Sequence, residues 1–265
     1  MRSCGRPLSL AIHWSPNGAD KLQRLLQPFT TQISSLTLVS FAEKSFAPQL
    51  SFEDLSALQD LTLYWSKVLR DNETDLAQSL SRLPCTLRSL KLRGLVFKPF
   101  KWLSTCNGLA QLTHLEITVT LLHELFYLLC LCPNLSSLEI SLMFGGAAIQ
   151  HLEPFTHTNL QSLSFNCRDT VRDPSPDLFD ALTLPNLHVL EASYVGVPPH
   201  EELQALLARS NCPLECLIFV GVKITDEQRA EYLTFIPSLD IQCCKGKQVT
   251  LCHSWMRIFT NICHL

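Results

Sequence analysis

Cys132-Pro133-Asn134-Leu135-Ser136-Ser137-Leu138-Glu139-Ile140 is the stretch whose reading decides the fold. Pro133 closes the apolar run before it. Leu135, Leu138 and Ile140 then stand in the L-x-x-L-x-L order of a short strand with every second side chain buried. Leu58-Gln59-Asp60-Leu61-Thr62-Leu63 repeats that order, and related lead-ins occur at Leu184-Pro185-Asn186-Leu187 and Asn211-Cys212-Pro213-Leu214. Worked outward, the paired positions recur every 22 to 29 residues: Leu10/Ile12, Leu36/Leu38, Leu61/Leu63, Leu90/Leu92, Leu115/Ile117, Leu138/Ile140, Leu163/Phe165, Leu190/Ala192, Leu217/Phe219 and Leu239/Ile241. A recurrence of this length marks stacked units, none of which can bury its apolar side alone. The expected fold is an α/β solenoid, an irregular leucine-rich-repeat array of about nine or ten units. Its parallel sheet lines the concave face and helices line much of the convex face.

The segments between strands carry the helical period. Leu76, Leu80 and Leu83 share a face within residues 75–83, and helices are also expected over 121–132, 175–182, 201–209 and 226–235. A regular leucine-rich repeat places Asn three residues after its second Leu. Here those positions hold Phe41, Ser66, Leu95, Thr120, Met143, Arg168, Val195 and Val222. The spacing therefore predicts no asparagine ladder, and turns held together by packing.

Composition narrows the function. Of 265 residues, 46% are apolar and 17% charged, enough for a continuous core, and the net charge of −3 supplies no basic face for nucleic acid. Twelve cysteines form no CxxC pair, a usage that points to reduced thiols and a cytoplasmic or nuclear protein. The apolar stretch Leu8–Ile12 is too short for a signal-peptide core. Leu125–Cys132 falls well short of the roughly 20 residues of a membrane span. No Walker loop, GxGxxG, HExxH or GxSxG occurs, and His123-Glu124 and His200-Glu201 each lack a second histidine. A cysteine nucleophile at Cys212 or Cys216 with His200 lacks an orienting group. The chain is read as non-enzymatic, with no catalytic residue, cofactor or metal.

With Cys132–Ile140, Leu184-Pro185-Asn186-Leu187-His188-Val189-Leu190-Glu191-Ala192, Leu112–Ile117 and Glu231–Ile241 in view, the chain resembles fungal F-box/leucine-rich-repeat-like proteins of mushroom-type fungi. The resemblance covers residues 7–242, the repeat portion only. It implies a substrate receptor whose repeats hold a target while an N-terminal F-box docks the adaptor of a cullin-type ubiquitin ligase. Strand-like Pro7–Ile12 begins where F-box helices would stand, so no ligase-docking residue carries over, and the adaptor is a partner only where an F-box lies upstream.

The expected function is protein–protein recognition on the concave face. The residue between each leucine pair points to that face, giving Ala11, Thr37, Thr62, Lys91, Glu116, Glu139, Ser164, Glu191, Ile218 and Asp240. The next outward positions run His13, Val39, Tyr64, Arg93, Thr118, Ser141, Asn166, Ser193, Val220 and Gln242. Tyr64, Lys91, Arg93, Glu116, Glu139, Glu191, Ile218 and Val220 are the candidate contacts. Lys91 and Arg93 form a basic spot, and Glu116 beside Glu139 invites a positive ligand. A solvated face with chance polar filling is the competing reading, as are an extracellular recognition module with paired cysteines and a nonfunctional remnant of an expanded family. Residues 1–242 are read as the solenoid and 243–265 as a tail. In the tail Trp255, Ile258, Phe259 and Ile262 fit a capping amphipathic helix, or the segment is an aberrant ending. The first turn, with six residues before it, is expected to need an upstream extension or a partner as its cap.

Overall fold

The computed structural model describes residues 6–14, 19–40, 52–65, 80–97, 108–142, 152–167, 176–194 and 199–244. The helix expected in the tail and most of the helix expected over 75–83 lie outside them.

The chain is α/β. Its strands are β1 (Leu8–Trp14), β2 (Ile33–Ser40), β3 (Asp60–Trp65), β4 (Ser89–Phe97), β5 (His114–Val119), β6 (Ser137–Leu142), β7 (Phe155–Thr156), β8 (Ser162–Cys167), β9 (Leu182–Thr183), β10 (Val189–Tyr194), β11 (Cys216–Val220) and β12 (Asp240–Cys244). The helices are α1 (Ala19–Leu26), α2 (Leu122–Leu131), α3 (Pro176–Ala181), α4 (His200–Ser210) and α5 (Asp226–Phe235). A ten-stranded sheet runs β1-β2-β3-β4-β5-β6-β8-β10-β11-β12, every pair parallel. Each chain return therefore crosses back over the sheet, and the short parallel pair β7–β9 lies within two such returns.

Register follows the leucines. Leu10, Leu36, Leu61, Leu90, Leu115, Leu138, Leu163, Leu190 and Leu217 stand in one row across the sheet, followed by Ile241. Most of this row is buried, and it shares a single core with the helical leucines, among them Leu22, Leu125, Leu203 and Leu206. The helices expected over 121–132, 175–182, 201–209 and 226–235 appear as α2 to α5, while α1 carried no expectation. Helix α2 starts after extended Leu121 and stops at Cys132, ahead of Pro133.

The last anchor departs from the sequence spacing. Leu217 pairs with Ile241 rather than Leu239, which puts Gln242 in the middle column and Asp240 opposite Cys216. In earlier turns the N–H groups of Leu58, Leu87, Leu112, Leu135 and Leu187 each close a tight turn three residues before the anchor, and Leu239 N–H does the same to Ile236 O at 3.1 Å. Leu239 is thus a turn leucine, brought next to its strand by one missing residue. Accordingly Asp240 alone donates to Glu215 O, where earlier turns send two N–H groups to one carbonyl, as Arg88 and Ser89 do to Gln59 O.

The turns are tied by more than packing, which corrects the expectation that packing alone holds them together. Asn134 donates to Ala110 O at 2.8 Å, Asn159 to Pro133 O at 2.8 Å and Asn186 to Thr158 O at 2.6 Å. This ladder stands before the strands, where the asparagines read as turn punctuation, and not after them. Thr86, Thr113 and Ser136 add hydroxyl bonds to Leu58 O, Arg88 O and Thr113 O. Because a lost intramolecular bond of this kind costs about 1 kcal/mol, Asn159→Ala should lower the unfolding free energy by that amount, seen as a lower urea midpoint with an unchanged slope. A midpoint within error of the parent would show that the ladder contributes nothing.

Candidate functional site

Successive strand residues point to opposite faces, so the register that buries the leucines places the residues between them on the face opposite the core. Across that face run Thr37, Thr62, Lys91, Glu116, Glu139, Ser164, Glu191 and Ile218, each opposite the next. The second column holds Tyr64 opposite Arg93 and, further along, Ser193 opposite Val220. Val39 also falls in this column but is buried, while Ala11 and His13 on β1 are exposed.

The structure brings Tyr64, Lys91, Arg93, Glu116 and Glu139 onto adjacent strands β3 to β6. Glu191 follows across Ser164, two strand spacings or ~10 Å from Glu139. Ile218 neighbours Glu191, and Val220 lies beside Ser193 and Cys244. The eight candidates therefore share one face, in a charged group and an aliphatic pair.

Arg93 does not act as a free cation beside Lys91. Its Nε lies 2.6 Å from Glu116 Oε1 and its second nitrogen 2.8 Å from Oε2, a two-pronged ion pair with Glu116 mostly covered. The bond to Glu116 holds the guanidinium above its usual pKa. This diagonal reach arises from a break in register. Lys91 stands opposite Glu116, but Val96 rather than Arg93 stands opposite Thr118. The chain between them bulges, with Gly94 at φ 73°, in the left-handed region glycine tolerates. An isolated glycine within a strand pattern was the available signal for this bulge.

With Glu116 paired to Arg93, Glu139 and Glu191 are the carboxylates left in this column. Glu139 is exposed, yet partial desolvation by its neighbours raises its pKa above the usual value, and Glu116 and then Glu191 add to the rise, while Arg93 and Lys91 oppose it. The centre of the face thus disfavours a bare negative charge and gains from a cation placed over Glu139.

Other side chains fall elsewhere. Cys132 is fully buried, and Cys85, Cys130, Cys212, Cys216, Cys243 and Cys244 are also free thiols. Burial raises the pKa of Cys212 and of Cys216, away from the reactive thiolate. Nδ1 of His200 bonds to the Tyr232 hydroxyl at 3.0 Å. His157, also buried, donates from Nε2 to Cys132 O at 3.0 Å, the only role a carbonyl partner allows. Among the described residues no group of three or more His, Cys, Asp or Glu side chains is placed to hold a metal ion, and no helix is long and apolar enough to cross a membrane.

Comparison with protein-family models gives no match, and comparison with curated proteins gives none either.

Proposed function

We propose that this chain is a non-enzymatic recognition module, a leucine-rich-repeat solenoid that captures a protein partner on the face of its sheet opposite the core. The observation that carries this reading is the side-chain column itself. Strand register holds Lys91, Glu116, Glu139 and Glu191 in line with Ile218, and Glu139 stands there as a carboxylate that its surroundings disfavour. Such a face rewards a partner segment bearing a cationic side chain over Glu139 and an aliphatic one near Ile218 and Val220. Leucine pairs that recur along the whole described sheet fit a scaffold for presenting a surface.

The test selects random displayed peptides on the immobilised chain. Enrichment of Lys or Arg near an aliphatic residue is expected, with capture lost on the Glu116→Lys, Glu139→Lys double variant. Capture should also weaken as pH falls and Glu139 takes up a proton, since only the ionised carboxylate attracts a cation. Peptides of no common chemistry, held equally by the double variant, would return the face to a solvated surface.

A further inference from the structure

Helix α5 is anchored in the core by Tyr232, with Leu233 partly buried against the core as well. Of its ten residues Tyr232 is the buried one, 1% exposed. The Tyr232 ring packs at 5.9 Å from His200, the first residue of α4, and at 6.0 Å from Phe219 of β11, with His200 and Phe219 5.8 Å apart. Three successive elements therefore meet at one aromatic triangle, and its polar contact is the 3.0 Å bond between the Tyr232 hydroxyl and His200 Nδ1.

The direction of that bond follows from satisfying the buried donor. A phenol carries one hydrogen, and giving it to a bare Nδ1 leaves no buried O–H unpaired. The imidazole then carries its own hydrogen on Nε2 and is neutral. Protonation would place a hydrogen on Nδ1, reverse the bond, and turn the Tyr232 O–H toward apolar neighbours.

The surroundings favour the neutral ring. Burial is the leading cause that lowers the His200 pKa from its ordinary value near 6.5. His200 also opens α4, where the positive end of the helix opposes an imidazolium. Glu231 from α5 and Glu202 from α4 act the other way. Glu231 is itself bonded by Gln204 at 2.8 Å, and β11 presents the uncharged Phe219.

We propose that the His200–Tyr232 bond is an acid-sensitive latch that holds the α5–β12 unit against α4 and β11. The folded state prefers the neutral imidazole, so the latch contributes fully above the ordinary histidine pKa. Its contribution falls away as pH drops through the lowered folded-state value. What then remains for α5 is the packing of Leu233 and the Tyr232 ring, its own capping box of Thr225 and Gln228, the Gln204–Glu231 bond, and the Arg229 bond to Ile241 O at 3.1 Å. Opening this unit uncovers the hydrogen-bonding edge of β11, the strand that carries Ile218 and Val220 on the open face.

Hydrogen exchange of the full chain at pH 7.5 and 5.0, corrected for intrinsic rates, tests the latch. Amides of residues 226–244 are expected to lose protection roughly tenfold at the lower pH, the size of one buried hydroxyl left unpaired, while amides of residues 114–142 keep theirs. His200→Asn offers an acceptor that does not titrate and should hold protection level across the two pH values; His200→Gln serves where that variant folds poorly. Equal wild-type protection at both pH values, a loss spread evenly over the chain, or the same tenfold loss in the non-titrating variant would overturn the proposal.

Discussion

Replacing Phe165 with alanine should lower the unfolding free energy by about 3–5 kcal/mol, as large-to-small changes at closed sites do. Phe165 is 1% exposed and lies 5.2 Å, ring to ring, from the fully buried Phe179 of α3. Its place in the row explains why the gap would not close. Across the sheet it stands between Ile140 and Ala192, and Ala192 is already the smallest side chain in that row. The phenyl ring fills volume that Ala192 leaves, and the Ala192 methyl cannot reach into the gap after it. Urea unfolding of Phe165→Ala, Phe179→Ala and the double variant would also give the ring–ring coupling, expected at about 0.5–1.5 kcal/mol. A Phe165→Ala cost near 1 kcal/mol would show that strand and helix do not close on each other there.

The second large effect concerns the ion pair on the open face. Arg93→Glu would set three carboxylates together at positions 93, 116 and 139. With the Arg93 side chain 38% exposed, solvent screening limits the loss to about 1–2 kcal/mol. Adding Glu116→Arg restores opposite charges and should return most of that stability. Recognition should behave differently, because the exchanged pair leaves Glu139 beside a cation from its own sheet. Peptides selected on the parent chain should bind the exchanged double variant at least about tenfold more weakly, even though its stability has recovered. Recovery of binding together with stability would make the pair a purely structural clasp.

Why one part of this arrangement could be read from sequence and another could not comes down to range. Leucine parity and spacing are local signals reinforced in each turn, so the row from Leu10 to Leu217 and the opposite columns follow directly. The final anchor did not follow, because Leu239 satisfies the same local pattern and only pairing with β11 shows that it closes a turn. The neighbours Lys91, Glu116 and Glu139 were legible for the same reason as the row. The Arg93 clamp was not, since it depends on a bulge that moves one side chain diagonally. Asparagines 134, 159 and 186 were visible as letters, but a bond from a side chain to the preceding turn's carbonyl has no periodic signature of its own.

That ladder bears on how the chain would come apart under load. Between Ala110 and Asn186 each turn is tied to the one before it both by strand pairing and by a side-chain tether outside the strand. Separating two of these turns means breaking both links together, so their rupture is steeper and less gradual than that of turns joined by strand pairing alone. Pulled or heated, the region should part as a block and not one turn at a time, and while intact it is a template on which neighbouring turns can wind back when the stress is removed.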